Sequence, residues 1–478
     1  MDGGLSMAIT TTTNLSDLEF RNRIDGELYN PRLMESFFEL KRSKLELFPL
    51  SSFCLIKSGT TPKDRDDMLK EGPVLFKTTD IRNNVLSPFD TYYHICESIH
   101  NRMAVTKLRP YDVLLNIVGA TLDVIGRSSI IMDDFQEANI TQAMAFLRIR
   151  KKEFLPGYLF AFLNTKYAQN QIKRYARPTG QFNLNLVEVG KLMVPKLPHT
   201  HQQNIENLIV DCTAYQKQSH ILYHQAETLL AKELQLDQLK LPNKKWYTAD
   251  YCEVMKERRM NAEFFSPDVY CILSQDFLKE AVTINEVFEI IRGYTPKCYY
   301  QSGVPVVKTK NVRTPNVDKK KISDHADSNE PLTQTKEEDL ILAAMGVGSL
   351  GRMSYVTDKE TNCAIDGTLR ILRKKDLSLN DIEIPTMLFL STEVGQKLIY
   401  RGISGTTGII SLPDDYLGRI PIPVFEKSVR RKVTELVLNS IKAKNQSEQL
   451  LAQAKHRVEE LIEQEANKKI NAINKTVV

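Results

Sequence analysis

The feature that most constrains this chain is an internal duplication that carries a helical repeat with it. The stretch Thr179 to Leu239 opens with TGQFNLN, passes through VGKLMVPKLP and runs into a helix bearing Ile205, Leu208, Cys212, Tyr215, Ser219, Leu222, Ala226 and Leu229. Steps of three and four residues give the 3.5-residue period of a coiled-coil seam. An offset of 228 carries Gly190 to Gly418, Lys191 to Arg419, Pro195 to Pro423, Ile205 to Val433 and Leu208 to Leu436. The heptad continues through Ser440, Ala443, Ser447, Leu450 and Ala454. A chain built this way is two copies of a globular unit, each leaving through a seam helix.

More pairs mark the same duplication. RIDGELYNP from Arg23 returns as RMNAEFFSP from Arg259, and FCLIKSGTTP (53–62) as FEIIRGYTP (288–296). FKTTDIRN (76–83) answers VKTKNVRT (307–314), and DVLLNIVG (112–119) answers DLILAAMG (339–346). The β-type runs are kept and punctuated by Gly, Pro and Asn, so the units are expected to be mixed α/β. Between these anchors the copies diverge: residues 86–109 and 317–336 share nothing. Kept strands with changed loops fit two recognition modules for different ligands, and fit neutral drift of surface loops equally well.

The expected organisation is a disordered N-terminus over 1–22, a first globular domain over 23–200 and a first seam helix over 201–240. A connector (241–258) with the only tryptophan, Trp246, leads to a second domain over 259–426. A second seam helix (427–470) and a tail (471–478) complete the chain. The first helix would be ~60 Å long and stop before Pro242. One seam per copy makes antiparallel pairing within the chain the economical arrangement, with an approximate two-fold axis.

With 478 residues and 42% hydrophobic content, the chain can bury more than one core. The net charge of +5 permits a nucleic-acid partner without arguing for one. Seven cysteines without a CxxC pair read as reduced thiols, and no apolar leader or run of ~18 apolar residues stands out. These features fit a soluble cytoplasmic protein with no membrane partner.

Candidate binding residues are the polar ones at repeated anchors. Lys77, Thr78, Arg82 and Asn83 recur as Lys308, Thr309, Arg313 and Thr314. Thr179, Gly180, Gln181 and Asn183 recur loosely as Thr407, Gly408, Ile409 and Ser411, beside Thr406. Arg174 and Arg177 precede the first of these loops and Arg401 the second. Cations, hydroxyls and backbone amides beside glycine bind phosphate, while Gln or Asn can read adenine and Arg guanine. A turn that only caps the following strand would use the same residues.

GVGSLG (346–351) has dinucleotide-loop spacing, but RMSYV after it is a β-type run where that motif needs a helix. His220 and His224, four apart on a helix, are too few for a metal site. There is no Walker A loop, no [DNS]PP[YFW] segment and no nucleophile–base pair, which favours a binder or scaffold over an enzyme. No catalytic residue, cofactor site or metal site is assigned.

Together the repeated R-[IM]-[DN]-[GA]-E opening, the SGTTP/GYTP turn, the K-T-x-[DN]-[IV]-R run and the TGQxNLN exit into a long helix resemble the specificity subunit of Type I restriction-modification enzymes. The resemblance covers residues 23 to 470. It implies two tandem target-recognition domains of mixed α/β fold separated by two long antiparallel coiled-coil helices. Each domain would read one half of a bipartite site in double-stranded DNA, and the helices would set the spacing. Two modification subunits, carrying S-adenosylmethionine for adenine N6-methylation, would dock on the helices. Restriction subunits would bring ATP, Mg²⁺ and cleavage, leaving this chain without a cofactor of its own. Such a system serves as defence against foreign DNA in a bacterium or archaeon. The second loop, SGTTGIIS, departs from the pattern because Ile409 replaces the amide, which puts base reading there in doubt.

Two other readings stay open. A stand-alone DNA-binding regulator with two tethered modules would bind its site tightly without partners. A scaffold with no DNA role would show no salt-dependent DNA affinity even in its complex.

Overall fold

The computed structural model describes residues 28–133, 135–242, 244, 246–375, 379–405 and 410–476. The expectation for residues 1–22 therefore lies outside the described residues, as do Thr406 and Thr407. Contacts divide the chain into two lobes. The first is built from residues up to Gln218 and from Ala443 onward, the second from Ser219–Lys442.

In the first lobe a five-stranded sheet has the order Cys54–Ser58, Met144–Ile149, Val113–Asn116, Ser128–Ile130, Asn84–Val85. Its first three pairings are antiparallel and its last parallel. The central run is buried at every position because both faces are covered. Successive side chains of a strand point to opposite faces. Val113, Leu115, Ala145 and Leu147 thus join the helix Pro156–Leu163 in one core. Leu114, Met144 and Phe146 join Val74, Phe76 and Ile140 in another.

The second lobe repeats this plan with a four-stranded antiparallel sheet: Phe288–Arg292, Leu369–Lys374, Leu340–Ala343, Met353–Tyr355. Again Leu340 and Leu342 face one core and Ile341 and Ala343 the other.

Equivalent side chains hold both frameworks. Buried Asp112 receives Arg148 through Nε at 2.7 Å and Nη2 at 2.6 Å, and the Arg109 amide at 2.8 Å. Asp339 receives Arg373 at 2.9 and 2.8 Å and the Lys336 amide at 2.7 Å. Gln169 Nε2 donates to the carbonyls of Gly126 and Leu163, as Gln396 does to those of Gly351 and Leu390. In the SGTTP and GYTP turns, a Cβ on Gly59 would lie 1.8 Å from the Ile140 carbonyl oxygen, and one on Gly293 2.1 Å from that of Asp366. Only glycine fits there.

The first seam helix is His199–Glu233, ending seven residues before the expected boundary, and the second is Lys427–Thr476. Their ends anchor alike. Gln202 Nε2 donates to the Glu153 carbonyl in the first lobe, and Arg430 Nη1 to the Asn380 carbonyl in the second. Cys212 meets Ser447 in the first lobe and Ser219 meets Ser440 in the second, so the helices run antiparallel. The seam differs in detail from the heptad reading. Ile209 and Leu230 are buried, Leu208 and Leu229 half-buried, and Tyr215 is exposed. The helix packs on its lobe as well as on its partner, which widens the apolar stripe. The connector holds a helix of its own, Tyr251–Glu257, N-capped by Asp250. Among the described residues no helix is long and apolar enough to cross a membrane.

Candidate nucleic-acid interface

Each lobe presents a Lys-Thr turn. In the first, the Lys77 amide donates to Asp80 Oδ2 at 2.7 Å; in the second, the Lys308 amide donates to Asn311 Oδ1 at 2.9 Å. Burial raises the Asp80 carboxyl above its ordinary value, against the lowering effects of the Lys77 amide, Arg82, Thr79 and the Lys77 charge. Both lysines lie over a tyrosine ring, Lys77 Nζ 3.7 Å from the centroid of Tyr93 and Lys308 Nζ 3.4 Å from that of Tyr299. The rings come from different places, one after the turn and one before it. Each is tied by its hydroxyl, Tyr93 to Asp67 Oδ1 at 2.6 Å and Tyr299 to Asp366 Oδ2 at 3.1 Å.

Lys308 also pairs with Asp324 at 3.2 Å, which Lys310 approaches at 3.4 Å. Burial alone would raise the Asp324 carboxyl, but Lys308 and Lys310 together bring it below its usual value. No such ion pair to Lys77 occurs among the described residues.

The TGQ loop forms a tight hairpin, Arg177–Thr179 against Gln181–Asn183, added to Val118–Gly119. Gly180 sits at its tip with φ +80 and nothing within 4 Å of an added Cβ. Alternation puts Gln181 and Asn183 on one exposed face, while Phe182 packs on the core. Of Thr179 only the backbone is described. Asn116, fully buried on the strand Val113–Asn116, donates through Nδ2 to the Thr78 carbonyl at 3.0 Å and so ties the turn to the sheet. The second lobe has the same augmentation: Ser411 bridges Met345 and Ser404. Its tip, with Thr406 and Thr407, lies outside the described residues.

The other candidates make bonds within the fold. Arg174 is 3% exposed and donates through Nε to the Leu28 carbonyl at 2.8 Å. Arg401 makes the equivalent bond to the Phe264 carbonyl at 2.9 Å and stacks on the Phe264 ring. Both bind the helix before the hairpin to the opening motif of their copy, which explains why an arginine recurs there. Arg177 pairs with Glu188 at 2.5 Å. Asn83 adopts φ 60 and accepts the Ser128 amide, a turn residue holding a strand. Arg82 is exposed, with Nε on the Thr79 carbonyl. Thr309 begins a short 3₁₀ turn, and Arg313 exchanges backbone bonds with Ser354 Oγ.

Sequence reasoning misses Asn116, Tyr93, Tyr299 and Asp324. Asn116 is visible as the polar residue inside DVLLNIVG. The tyrosines and Asp324 lie outside the repeated anchors, where only three-dimensional proximity could select them. GVGSLG is a turn into the strand Met353–Tyr355, as a β framework requires.

No family model and no curated protein matches the chain. Among solved structures, it is similar to the S subunit of a Type I restriction-modification system from M. genitalium. The identity is 13% and the TM-score 0.45, over 88% of this chain and 96% of that one. It is also similar to the HsdS subunit from Thermoanaerobacter tengcongensis, at 16% identity and TM-score 0.28, over 89% and 96%. A type IIG restriction endonuclease, BpuSI, is similar over 37% of this chain and 28% of its own length, at 10% identity and TM-score 0.29.

Proposed function

We propose that this chain is the non-catalytic DNA-specificity subunit of a Type I restriction-modification complex. Each lobe contacts one half of a bipartite site, and the paired helices set the spacing and dock the modification subunits. The observation that carries this reading is the contrast within the duplication. The Asp–Arg, Gln and Arg–carbonyl bonds repeat from copy to copy, while the surroundings of the Lys-Thr turn differ. A binder of two unlike half-sites needs one scaffold twice and two reading surfaces. In that role S-adenosylmethionine, ATP and Mg²⁺ belong to partner subunits, and tethering two weak contacts raises avidity by ~10²–10⁴.

The test exchanges residues 23–200 for the equivalent unit of a relative and maps methylated adenines in the assembled complex. One half of the recognised sequence should change and the other persist. A change in both halves, or in neither, would refute the assignment of one lobe to one half-site.

A further inference from the structure

The seam contains two polar layers in an otherwise apolar interface. Cys212 Sγ lies 3.2 Å from Ser447 Oγ, and Ser219 Oγ 3.1 Å from Ser440 Oγ, with Ser440 also donating to the Ser219 carbonyl at 2.8 Å. All four residues are at most 9% exposed. The duplication that carries Cys212 to Ser440 also carries Ser219 to Ser447. The two layers are therefore one pair occurring twice, as antiparallel pairing of two equivalent helices demands. Beyond them the seam is apolar, with Ile205 and Ala454 in the first lobe's core and Ala226 and Val433 in the second's.

From this arrangement we infer that Cys212, Ser219, Ser440 and Ser447 are positioning residues that select the register of the paired helices. In the observed register every polar seam group meets another. A slip of one heptad in one direction brings Ser219 opposite Ser447 but sets Cys212 against Ala454 and Ser440 against Ala226. The opposite slip brings Cys212 opposite Ser440 but sets Ser447 against Ile205 and Ser219 against Val433. Buried hydroxyls facing apolar side chains lose their partners, so both slips are disfavoured. An all-apolar seam would lack that discrimination. The consequence for DNA, a fixed spacer length, rests on the proposed function; the register itself does not.

Disulfide trapping in the full chain tests the inference without DNA. Exposed Cys96, Cys252 and Cys298 are first replaced by Ser. Ser447→Cys then reports the observed register through Cys212, and Ala454→Cys the slipped one. With the polar layers present, only the Ser447→Cys chain should cross-link rapidly within one chain. With Ser219→Ala, Ser440→Ala and Ser447→Ala, the Ala454→Cys reporter should cross-link at least about tenfold more than in the native seam. Cross-linking at the native-seam level would show that lobe packing alone sets the register and would overturn the inference. If the apolar variant fails to fold, Ser440→Ala alone serves, since it removes one member of a layer; it should also raise the Ala454→Cys signal, and no rise would count against the inference. Because no DNA enters the readout, failure of the proposed DNA role would leave every cross-link unchanged.

Discussion

The two lobes support the same lysine by different means. In the first, Lys77 rests on Tyr93, above a turn capped by the carboxylate of Asp80 and tied to the sheet by Asn116. In the second, Lys308 rests on Tyr299, the cap is Asn311, and Ala343 stands where Asn116 does. Lys308 also shares its charge with Asp324. The Asp–Arg clamps of the two sheets agree bond for bond. The framework is therefore fixed by packing and hydrogen bonding, while the exposed surface has been free to change its charge and its polar groups.

The largest effects should appear where the lobes agree. Asp112→Ala and Asp339→Ala each leave a half-buried arginine and a backbone amide without the buried carboxylate they donate to, which costs about 3 kcal/mol. Urea unfolding followed lobe by lobe should show equal losses. A cost at one position only would mean that the two clamps are not equivalent.

Smaller effects should separate the lobes. Gln181→Ala in the assembled complex should reduce discrimination at one base pair by about 1–3 kcal/mol, in the first half-site only. Ser411→Ala, on the matching strand of the second lobe, should leave discrimination unchanged. Equal losses from both would assign base reading to both hairpins. Smaller again are the phosphate contacts. Lys77→Ala should lower the slope of log affinity against log salt by ~0.9, the value for one phosphate contact. Lys308→Ala should lower it by less, because Asp324 already neutralises part of that charge. Equal slopes would show that Asp324 releases Lys308 when DNA binds.

Much of this was legible in the sequence, for a physical reason. Strands buried on both faces must stay apolar, so DVLLNIVG and DLILAAMG kept a recognisable pattern, and glycines such as Gly59 and Gly293 had no alternative. Antiparallel pairing followed from one seam per copy. The roles of the arginines were not legible. Arg174 and Arg401 recur as a DNA-contacting cation would, yet they recur because a carbonyl in each opening motif needs a donor. Repetition marks constraint, and a buried hydrogen bond constrains a residue as strongly as a ligand does. The tyrosines under the lysines were invisible for the opposite reason: they arrive from segments the duplication does not share.

The smallest expected effect concerns the cap itself. Asp80 is titratable and Asn311 is not, although both accept the amide of the lysine that opens the turn. Burial, the first cause, raises the folded carboxyl of Asp80 above its ordinary value of 3.8. A raised folded pKa contributes stability that is present below the unfolded value and lost as pH rises through the folded one. Asp80→Asn should therefore match the parent below about pH 4 and become slightly more stable than it above the folded pKa. Asn311→Asp should do the reverse in the second lobe, losing stability as pH rises. Thermal melts of both variants across pH measure this directly. If Asp80→Asn were instead destabilising at neutral pH, the charged form would be favoured by Arg82 and Lys77 more than burial disfavours it, and the first lobe's turn would depend on a charge that the second has no need of.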